Sequence, residues 1–582
     1  MINIKQDERL NTVNHSCAHL LAQAVKHIYP DAKFWVGPVI EEGFYYDMDL
    51  NGVVVTEEDL EKIEKEMKKL SKDGKRIYRE ELSREEALER FENDPYKIDL
   101  INNMDDDTII SCYTQGDFTD LCRGPHVDTV KELKHFKLLK VSGAYFKGDS
   151  KNKMLQRIYG ICFENEEDLQ KHLQELEDRK ERDHRKIGKE LEIFMADDLI
   201  GRGLPMFLPK GYIVWQELED YIKAKERKLG YQHVLTPCVG NVELYKTSGH
   251  WDHYKDNMFP AMEVEGEAFV LRPMNCPHHM VIYSNKLHSY KDLPIRIGEI
   301  AHDFRYEASG AVKGIERGRH FCQNDAHLFV TPEQIKEEFK NVVDLIFDVY
   351  KDFNITDYRC VLSLRDPEDK VKYHQDDEMW NKAENALREV LNSLGIEYTE
   401  EIGEAAFYGP KLDVNVKPAV GNEYTLSTCQ LDFCLPAKFD LKYVDKDGEK
   451  KTPVVIHRAI LGSLDRFMAY ILEETKGALP LWLSPVQVNI IPVTSVQNEY
   501  ATHILEELNK HNFRCNLDNR DEKVGYRMRE SVIQKNPYTL VIGDKEVESN
   551  TITYRMRGKE ESINISINDF IEKLKDEIKN YK

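Results

Sequence analysis

A chain of 582 residues with a formal net charge of −23, of which 41% are hydrophobic and 32% charged, reads as a folded protein rather than a disordered one. The length predicts about four domain-sized units. The acidic balance argues against indiscriminate nucleic-acid binding, because a polyanion is repelled at long range. No apolar run could span a bilayer and "MINIKQDERL" lacks a signal-peptide core, so we expect a cytoplasmic protein without a membrane partner. Eleven cysteines without a CxxC pair predict reduced thiols, a few of them used for metal binding or chemistry.

The stretch "VNHSCAHLLAQAVKHIY" predicts a helix that carries His15 and His19 on one face. Further along, "DLCRGPHVD" repeats the four-residue spacing with Cys122 and His126. These four groups could form a closed zinc site. A histidine pair on a helix more often reflects ordinary packing, so both interpretations stay open.

Two boundaries divide the chain. Residues Glu166 to about Lys189 predict one long charged helix that connects two bodies. The second boundary lies at "LPLWLSPVQVNIIPV", after which strands alternate with helices and predict a small α/β domain with a mainly parallel sheet. Between the boundaries, "EAFVLRPMNCP", "PIRIGEIAHDFRYE" and "EYTLSTCQLDF" predict strands of a larger sheet in a mixed α+β body.

Arginines mark the central body. "FRYEASG" predicts Arg305 and Glu307 on one strand face, and "ERGRHFCQNDAHLF" returns after a loop with Arg317 and Phe321. Downstream, "HRAILGSLDRF" opens a helix that carries Arg466. A single arginine is usually a structural ion pair. Three arginines and an aromatic ring in this order indicate nucleotide phosphates held by guanidinium groups, with adenine stacked on the ring.

The strand-loop-strand and the arginine-bearing helix resemble motifs 2 and 3 of class II aminoacyl-tRNA synthetases, and "LGYQHVLTPCV" with Pro237 resembles motif 1. Most of the chain resembles the threonyl-tRNA synthetase family through "HSCAHLL", "CRGPHV", "NKMLQRIYG", "RDHRKIGK", "RPMNCP", "QNDAHLF", "FYGPKLD" and "IHRAILGS". The resemblance implies a class II antiparallel sheet core flanked by helices, an amino-terminal α+β editing domain and a carboxy-terminal α/β anticodon-binding domain. The expected ranges are 1–164 for editing, 165–189 for a helical linker, 190–483 for catalysis and 484–582 for anticodon binding.

The resemblance also implies the reaction, an ATP-dependent ligation of L-threonine to the 3'-terminal ribose of threonine tRNA through a threonyl-adenylate. Charge develops on phosphate oxygens in the first step, and fixed cations with Mg²⁺ would meet it. His250, in "TSGHWDHYKDNMF", matches the family's candidate for taking a proton during acyl transfer. The implied catalytic residues are Arg305, His250 and Arg466; the implied ATP-binding residues are Arg305, Glu307, Arg317, Phe321, Gln430, Ser463 and Arg466. Motif 1 alone suggests a homodimer.

Threonine must be distinguished from valine, which has nearly its shape. A site that coordinates the hydroxyl can reject an analogue that lacks it by several orders of magnitude. In the family, the positions of Cys276, His327 and His457 bind one Zn²⁺ per chain, and three protein ligands leave a fourth position open. The resemblance assigns threonine binding to Met274, Gln323, Asp325 and Tyr408.

Zinc cannot reject serine, which has both an amino group and a hydroxyl, so a second, hydrolytic site for seryl-tRNA is expected. The amino-terminal region resembles the editing domain shared by threonyl and alanyl synthetases, which acts without a bound metal. The implied editing residues are His15, His19, Lys97, Tyr113, Asp120, Cys122 and His126. A structural zinc held by the histidines and the cysteine is the alternative.

Some features depart from the family pattern. By the resemblance, we expect a chain that begins directly at the editing domain, without the small ubiquitin-like domain that often precedes it. His278 stands where glycine is usual, Lys313 and His320 are departures at the motif 2 loop, and "EYTLSTC" with Thr425 replaces the usual run. These changes bear on contacts with ATP and the tRNA acceptor stem.

Two other classes of function would explain parts of the sequence. One is an RNA-binding or regulatory paralogue that does not charge tRNA, against which the intact arginines and zinc set count. The other is a metal-dependent hydrolase built on the amino-terminal histidines, which leaves the central and final domains unexplained. Between Lys510 and Lys535 the chain has seven Lys or Arg against four Asp or Glu. This local excess suits an anticodon-reading surface, although a solvated helix face would also explain it.

Overall fold

The computed structural model describes residues 3–105, 108–149, 151–419, 421 and 423–581. The chain forms two compact units, Met1–Asp178 and Arg179–Lys582. The division falls in the helix Glu166–Arg182. The prediction of one helix to residue 189 is wrong, because a second helix, His184–Glu190, starts after Asp183, whose carboxylate accepts a hydrogen bond from the Arg185 backbone as an N-cap.

The first unit packs the helix Glu8–Ile28 against a sheet and a second helix, Glu57–Asp73. Most residues in the middle of the helix Glu8–Ile28 are buried, because apolar residues lie on several of its sides. The main sheet contains the strands Lys33–Phe34, Val39–Ile40, Gly43–Asp49, His135–Tyr145 and Met154–Phe163. This unit also contains the strands Ile77–Leu82, Ile110–Gln115 and Phe118–Leu121 and the helices Arg84–Arg90 and Pro95–Asn102.

The second unit is built on one large sheet, here called the central sheet, whose inner neighbours are all antiparallel. In spatial order its strands are Gln232–His233, Ile295–Phe304, His320–Val330, Val454–Ser463, Tyr424–Asp432, Lys411–Val416, Tyr358–Leu364 and Tyr398–Ile402. The larger helices of this body are Pro209–Lys228, Ile335–Asp352, Asp377–Leu394 and Leu464–Thr475. An antiparallel core flanked by helices is confirmed.

Shorter elements surround the central sheet. The shorter helices of this body are Val242–Ser248, His250–His253, Cys276–Ser284 and Cys434–Lys438. Its short strands are Phe194–Met195, Met206–Phe207, Val239–Asn241, Met262–Val264, Glu267–Leu271, His288–Ser289, Tyr443–Val444 and Lys450–Lys451. The prediction that "EAFVLRPMNCP" forms a strand of the larger sheet is wrong, because Glu267–Leu271 pairs with two short strands outside that sheet and a helix begins at Cys276.

The carboxy-terminal sheet has the order Cys515–Leu517, Val488–Pro492, Tyr538–Ile542, Ile552–Met556 and Ser562–Ile565. Its first two pairings are parallel and its last two antiparallel, so the sheet is mixed rather than mainly parallel. The helices here are Asn498–Lys510, Val524–Ile533, Asp544–Ser549 and Ile567–Lys579. Among the described residues, none of the helices combines the length and apolar character that crossing a membrane requires.

Candidate functional site

Three residues far apart in sequence, here called the central cluster, meet on one face of the central sheet. The ligand atoms of Cys276, His327 and His457 all lie within 4.8 Å of one another. His327 and His457 are direct partners on neighbouring antiparallel strands, which brings their ring centroids to 4.5 Å. Cys276 is the first residue of the helix Cys276–Ser284. All three side chains are buried.

Each histidine of the central cluster has a polar partner that fixes the orientation of its ring. His457 Nε2 lies 2.8 Å from Asp432 Oδ2, and His327 Nδ1 lies 2.8 Å from His279 Nδ1. His279 Nε2 in turn lies 3.1 Å from Glu299 Oε2. Partners of this kind fix the ring orientation of metal-binding histidines. Sequence reasoning missed all three supporting groups, although His279 could have been found because it lies three residues after Cys276 on the same helix.

The remaining ring nitrogens of the central cluster are left for a ligand. His327 Nε2 and His457 Nδ1 are buried and have no hydrogen-bond partner within the described part of the chain. Burying such atoms without a partner is costly. Two imidazole nitrogens beside a thiol are the donor set that zinc takes, with a fourth position open. The residues therefore fit the implied metal.

A pocket opens beside the central cluster and contains residues predicted for catalysis, ATP binding, threonine binding and metal binding. Of the predicted residues, those that line it are Met274, Cys276, Arg305, Gln323, Asp325, Tyr408, Gln430 and His457. The Tyr408 hydroxyl donates to Gln430 Oε1 at 2.6 Å, and its ring stacks on His457 with centroids 4.8 Å apart. Other residues that line the pocket, including His253, Tyr254, Phe407 and Thr428, carried no signal in the sequence.

The predicted ATP-binding arginines differ in their surroundings. Arg305 holds its guanidinium 4.8 Å from the Phe321 ring centroid, and its buried Nε has no hydrogen-bond partner among the described residues. Arg317 is half-exposed and pairs with Glu307 at 2.9 Å. The strand Ile295–Phe304 ends before Arg305, so the prediction that Arg305 and Glu307 share a strand face is wrong. Regular strand pairing stops at Phe304, although Arg305 N still donates to the Arg319 carbonyl and so continues the hairpin register by one residue.

Arg466 lies on the helix Leu464–Thr475, as predicted, and Ser463 is the N-cap of that helix. The Ser463 hydroxyl accepts a hydrogen bond from Arg466 N, while Arg466 Nε donates to the Glu316 carbonyl at 3.2 Å. The second contact links the motif 3 helix to the motif 2 loop. Neither residue lines the pocket described above.

His250 lies behind the pocket wall rather than in it. Its Nδ1 is 2.8 Å from the Ser248 hydroxyl and its Nε2 is 3.3 Å from Met274 Sδ, and Met274 itself lines the pocket. Burial lowers the pKa of His250 to about 3, so the ring is neutral at physiological pH. A neutral imidazole can accept a proton, but Met274 separates this one from the pocket.

Two of the departures from the family pattern have local polar partners. Lys313 pairs with Glu316 at 2.5 Å within the motif 2 loop. The Thr425 hydroxyl donates to Asn415 Oδ1 at 2.8 Å on the neighbouring strand. Burial lowers the pKa of His278 to about 4. None of the three lines the pocket.

In the first unit, His15, His19, Cys122 and His126 form the amino-terminal cluster, with ligand atoms within 4.8 Å of one another. Cys122 Sγ lies 3.1 Å from His15 Nε2 and 3.2 Å from His126 Nε2. Gly124 N also donates to this sulfur, at 3.3 Å. Burial raises the pKa of the Cys122 thiol to about 12, so without a metal the group stays protonated at neutral pH.

The other predicted residues of this region support the amino-terminal cluster. Asp120 is buried, receives Lys97 Nζ at 2.5 Å and lies 3.5 Å from His19 Nε2. Tyr46, which sequence reasoning missed, donates to the same carboxylate. The Tyr113 ring lies 4.4 Å from that of His126 and packs on Gly124. A Cβ at residue 124 would lie 2.2 Å from the Tyr113 hydroxyl, and φ is +74° there, so any other residue would be strained.

Comparisons with curated proteins decide the family. The chain is 56% identical over 581 residues to the threonine--tRNA ligase of Geobacillus sp. (strain WCH70), covering 99% of this chain and 90% of that relative. It is 56% identical over 575 residues to the threonine--tRNA ligase of Staphylococcus carnosus (strain TM300), covering 98% and 89%. The chain belongs to the threonine--tRNA ligase family.

Domain comparisons agree with this family. Residues 259–475 match the tRNA synthetase class II core domain (G, H, P, S and T), residues 487–577 an anticodon binding domain, and residues 110–159 the threonyl and alanyl tRNA synthetase second additional domain. A solved structure titled as the RNA binding domain of threonyl-tRNA synthetase from Cryptosporidium parvum Iowa II is 37% identical, with a TM-score of 0.65, and covers 68% of this chain and 98% of that one. As a member of the threonine--tRNA ligase family, the protein charges tRNA with threonine and carries an editing-type domain.

The amino-terminal cluster should make the first unit of the protein acid-sensitive. Burial lowers the pKa of His15, His19 and His126, so the unfolded chain binds protons below about pH 6.5 that the folded unit does not. We therefore expect these histidines to leave the free energy of unfolding unchanged above about pH 6.5. Below that pH they should lower it, by up to about 1.4 kcal/mol per pH unit for each histidine. Urea unfolding with chelator at pH 7.5, 6.0 and 5.0 measures this.

His27 should change the stability of this unit with the opposite pH dependence, so it serves as a control. Its pKa is raised by a hydrogen bond to Glu66, so it contributes stability below about pH 6.5 that is lost as the pH rises. The stabilising effect of this one histidine at low pH is opposed by the destabilising effect of the three buried histidines. Replacing His15, His19 and His126 together by glutamine should flatten the acid dependence, whereas His27→Gln should steepen it. Unfolding midpoints that do not change with pH would contradict the assignment of neutral, buried rings.

Proposed function

We propose that the central site activates L-threonine with ATP as a threonyl-adenylate before the amino acid passes to threonine tRNA. The observation that carries this proposal is the pair of buried, unpartnered nitrogens, His327 Nε2 and His457 Nδ1, beside a pocket lined by Arg305. Zinc held by Cys276, His327 and His457 would supply an open Lewis-acid position for the amino and hydroxyl groups of threonine. Threonine-dependent exchange between ATP and pyrophosphate tests the activation step.

The chain's own residues then divide the remaining work. Arg305 has donors to spare and faces the pocket, so it would bind the α-phosphate and the threonine carboxylate and stabilise the charge that develops between them. Phe321, held against Arg305, would stack on adenine. Arg317 and Arg466 would hold the outer phosphates together with Mg²⁺, which requires Arg317 to give up its ion pair with Glu307.

Selection for threonine would come from the same pocket. The hydrogen bond from the Tyr408 hydroxyl to Gln430 fixes one wall of the pocket. Asp325, on the strand His320–Val330, would bind the threonine amino group. Met274 and Gln323 complete the predicted contacts. Valine fills the same volume but leaves the hydroxyl-binding position unused, so it should be rejected by several orders of magnitude.

The amino-terminal cluster would hydrolyse seryl-tRNA without a metal. Three neutral imidazoles can position a water and accept its proton, and the buried pair of Lys97 and Asp120 holds His19 in place. Serine, being smaller than threonine, can enter a pocket that the threonine methyl group would overfill. The alternative, a closed zinc site, rests on the same convergence of four ligand atoms.

Replacing His15 and His19 together by alanine should separate these alternatives. We expect deacylation of seryl-tRNA to fall by about 10²- to 10⁴-fold, as for the loss of a general base, while threonine activation is unchanged. The measurements are seryl-tRNA hydrolysis, threonine-dependent exchange and metal per chain. His27→Ala, on the same helix but outside the cluster, is the matched control. Loss of one metal per chain in the double variant alone would identify a zinc site instead.

The same proposal divides the chain into an editing domain at 1–164, a helical linker at 165–189, a catalytic domain at 190–483 and an anticodon-binding domain at 484–582. Threonine tRNA, a homodimer and a cytoplasmic location complete it. The family matches at 110–159, 259–475 and 487–577 fall inside the three larger ranges and support them.

A further inference from the structure

A second set of two histidines and one cysteine, here called the hairpin cluster, lies at the base of the motif 2 hairpin. The ligand atoms of His302, His320 and Cys322 lie within 4.8 Å of one another. His302 Nδ1 is 3.0 Å from His320 Nε2 and 3.1 Å from Cys322 Sγ. This is the same donor set as the central cluster, and neither the reaction nor the editing step uses it.

Strand pairing explains why these side chains converge. His302 and Cys322 are direct partners across the strands Ile295–Phe304 and His320–Val330, and His320 is two residues from Cys322 on the same face. Phe321 and Gln323 point to the opposite face of the same strand, where Gln323 lines the catalytic pocket. The hairpin cluster therefore lies behind the catalytic face, at the point where the chain leaves for the motif 2 loop and returns from it.

The separations suit a small ion after a slight opening. Zinc with nitrogen ligands at about 2.0–2.1 Å and sulfur at about 2.3 Å places tetrahedral ligand atoms about 3.3–3.6 Å apart. The observed contacts of 3.0 and 3.1 Å are a few tenths of an ångström shorter. Cys322 is buried while both histidines are partly exposed, so the thiol is held rigidly and the rings can adjust and admit an ion.

We propose that His302, His320 and Cys322 bind a second metal ion, of the thiophilic kind that zinc represents, which fixes the two strands at the base of the motif 2 hairpin. One thiolate and two imidazoles select zinc over magnesium or calcium, which prefer oxygen ligands. The ion crosslinks the end of one strand to the start of the next and so holds the loop that carries Arg305 and Arg317. This goes beyond the proposed function, which needs zinc only at the central cluster.

Cobalt titration of the full-length chain tests this site directly, because thiolate coordination gives Co²⁺ a charge-transfer absorption in the near ultraviolet. In a Cys122→Ser, Cys276→Ser background the thiols of the other two clusters are absent. We expect a band that saturates at one Co²⁺ per chain and disappears when Cys322→Ser is added. Cys515→Ser, a partly exposed free cysteine in the carboxy-terminal domain, should retain it. No band, or a band that survives Cys322→Ser, would overturn the proposal.

A second variant and a metal count keep the result independent of folding and of the proposed function. His320→Gln retains the buried thiol and should weaken Co²⁺ binding at least about tenfold. Zinc per chain in the Cys122→Ser protein should be about two, falling to one with either Cys276→Ser or Cys322→Ser. A single zinc that is lost only with Cys276→Ser would overturn the hairpin site and support the central site. A single zinc that is lost only with Cys322→Ser would support the hairpin site and contradict zinc binding at the central cluster.

Discussion

Cys276→Ser should lower threonine-dependent exchange of ATP and pyrophosphate by on the order of a thousandfold or more. A site built to bind a hydroxyl loses that much discrimination when the recognising group is removed. Serine replaces a soft thiolate by a poor zinc ligand, and His327 and His457 alone offer too few donors to hold the ion. The measurements are exchange kinetics with threonine and zinc per chain on the same preparation.

Two controls make this result specific. Cys515→Ser removes a thiol of the carboxy-terminal domain and should leave exchange unchanged. Removing zinc from the wild-type protein with a chelator should reproduce the loss, and returning zinc should reverse it, while valine is not activated in either state. Full threonine activation by protein verified to contain no zinc would refute the role of the central cluster.

Arg305→Ala should lower the rate of adenylate formation by about 10²- to 10³-fold, the usual cost of removing one fixed donor to a developing charge. Arg305 has a buried, unpartnered Nε in the described part of the chain and lines the pocket, so its donors are available to a substrate. Single-turnover formation of the adenylate, with threonine and ATP saturating, measures this step without tRNA.

Arg317→Ala is the matched control, because this guanidinium is half-exposed and already paired with Glu307. We expect a smaller loss, seen mainly in the KM for ATP, since an exposed ion pair contributes little and its partner can return to water. Equal losses of rate in the two variants would contradict the separate roles given to Arg305 and Arg317. Arg305→Lys should recover little, because a point charge cannot form two parallel hydrogen bonds.

Local patterns in the sequence predicted the elements well and their ends less well. The spacing of His15 and His19 correctly placed both rings on one helix face, where their centroids lie 5.5 Å apart. The helix break at Asp183 was missed although aspartate is a frequent N-cap, because the charged periodicity continued through it. The strand face predicted for Arg305 failed because the strand ends one residue earlier, at Phe304.

The zinc ligands of the central cluster were accessible only through family resemblance. Spacing could not join Cys276 to His327 and His457, since a helix start and two strand positions meet there through tertiary packing. Supporting groups such as Asp432 and Glu299 carried no signal, because a buried carboxylate looks like any other acidic residue in sequence. The hairpin cluster could have been recognised from strand pairing of "IAHDF" with "HFCQN", had the register been known.

The direct pairing of His327 with His457 ties the central site to a single alignment of two strands. A slip by one residue would turn one imidazole to the opposite face of the sheet and leave the thiol of Cys276 with one partner. A bound ion therefore contributes its free energy only to chains whose strands have aligned correctly. Metal uptake during refolding would act as a quality check, recording what fraction of newly made molecules had reached the native alignment.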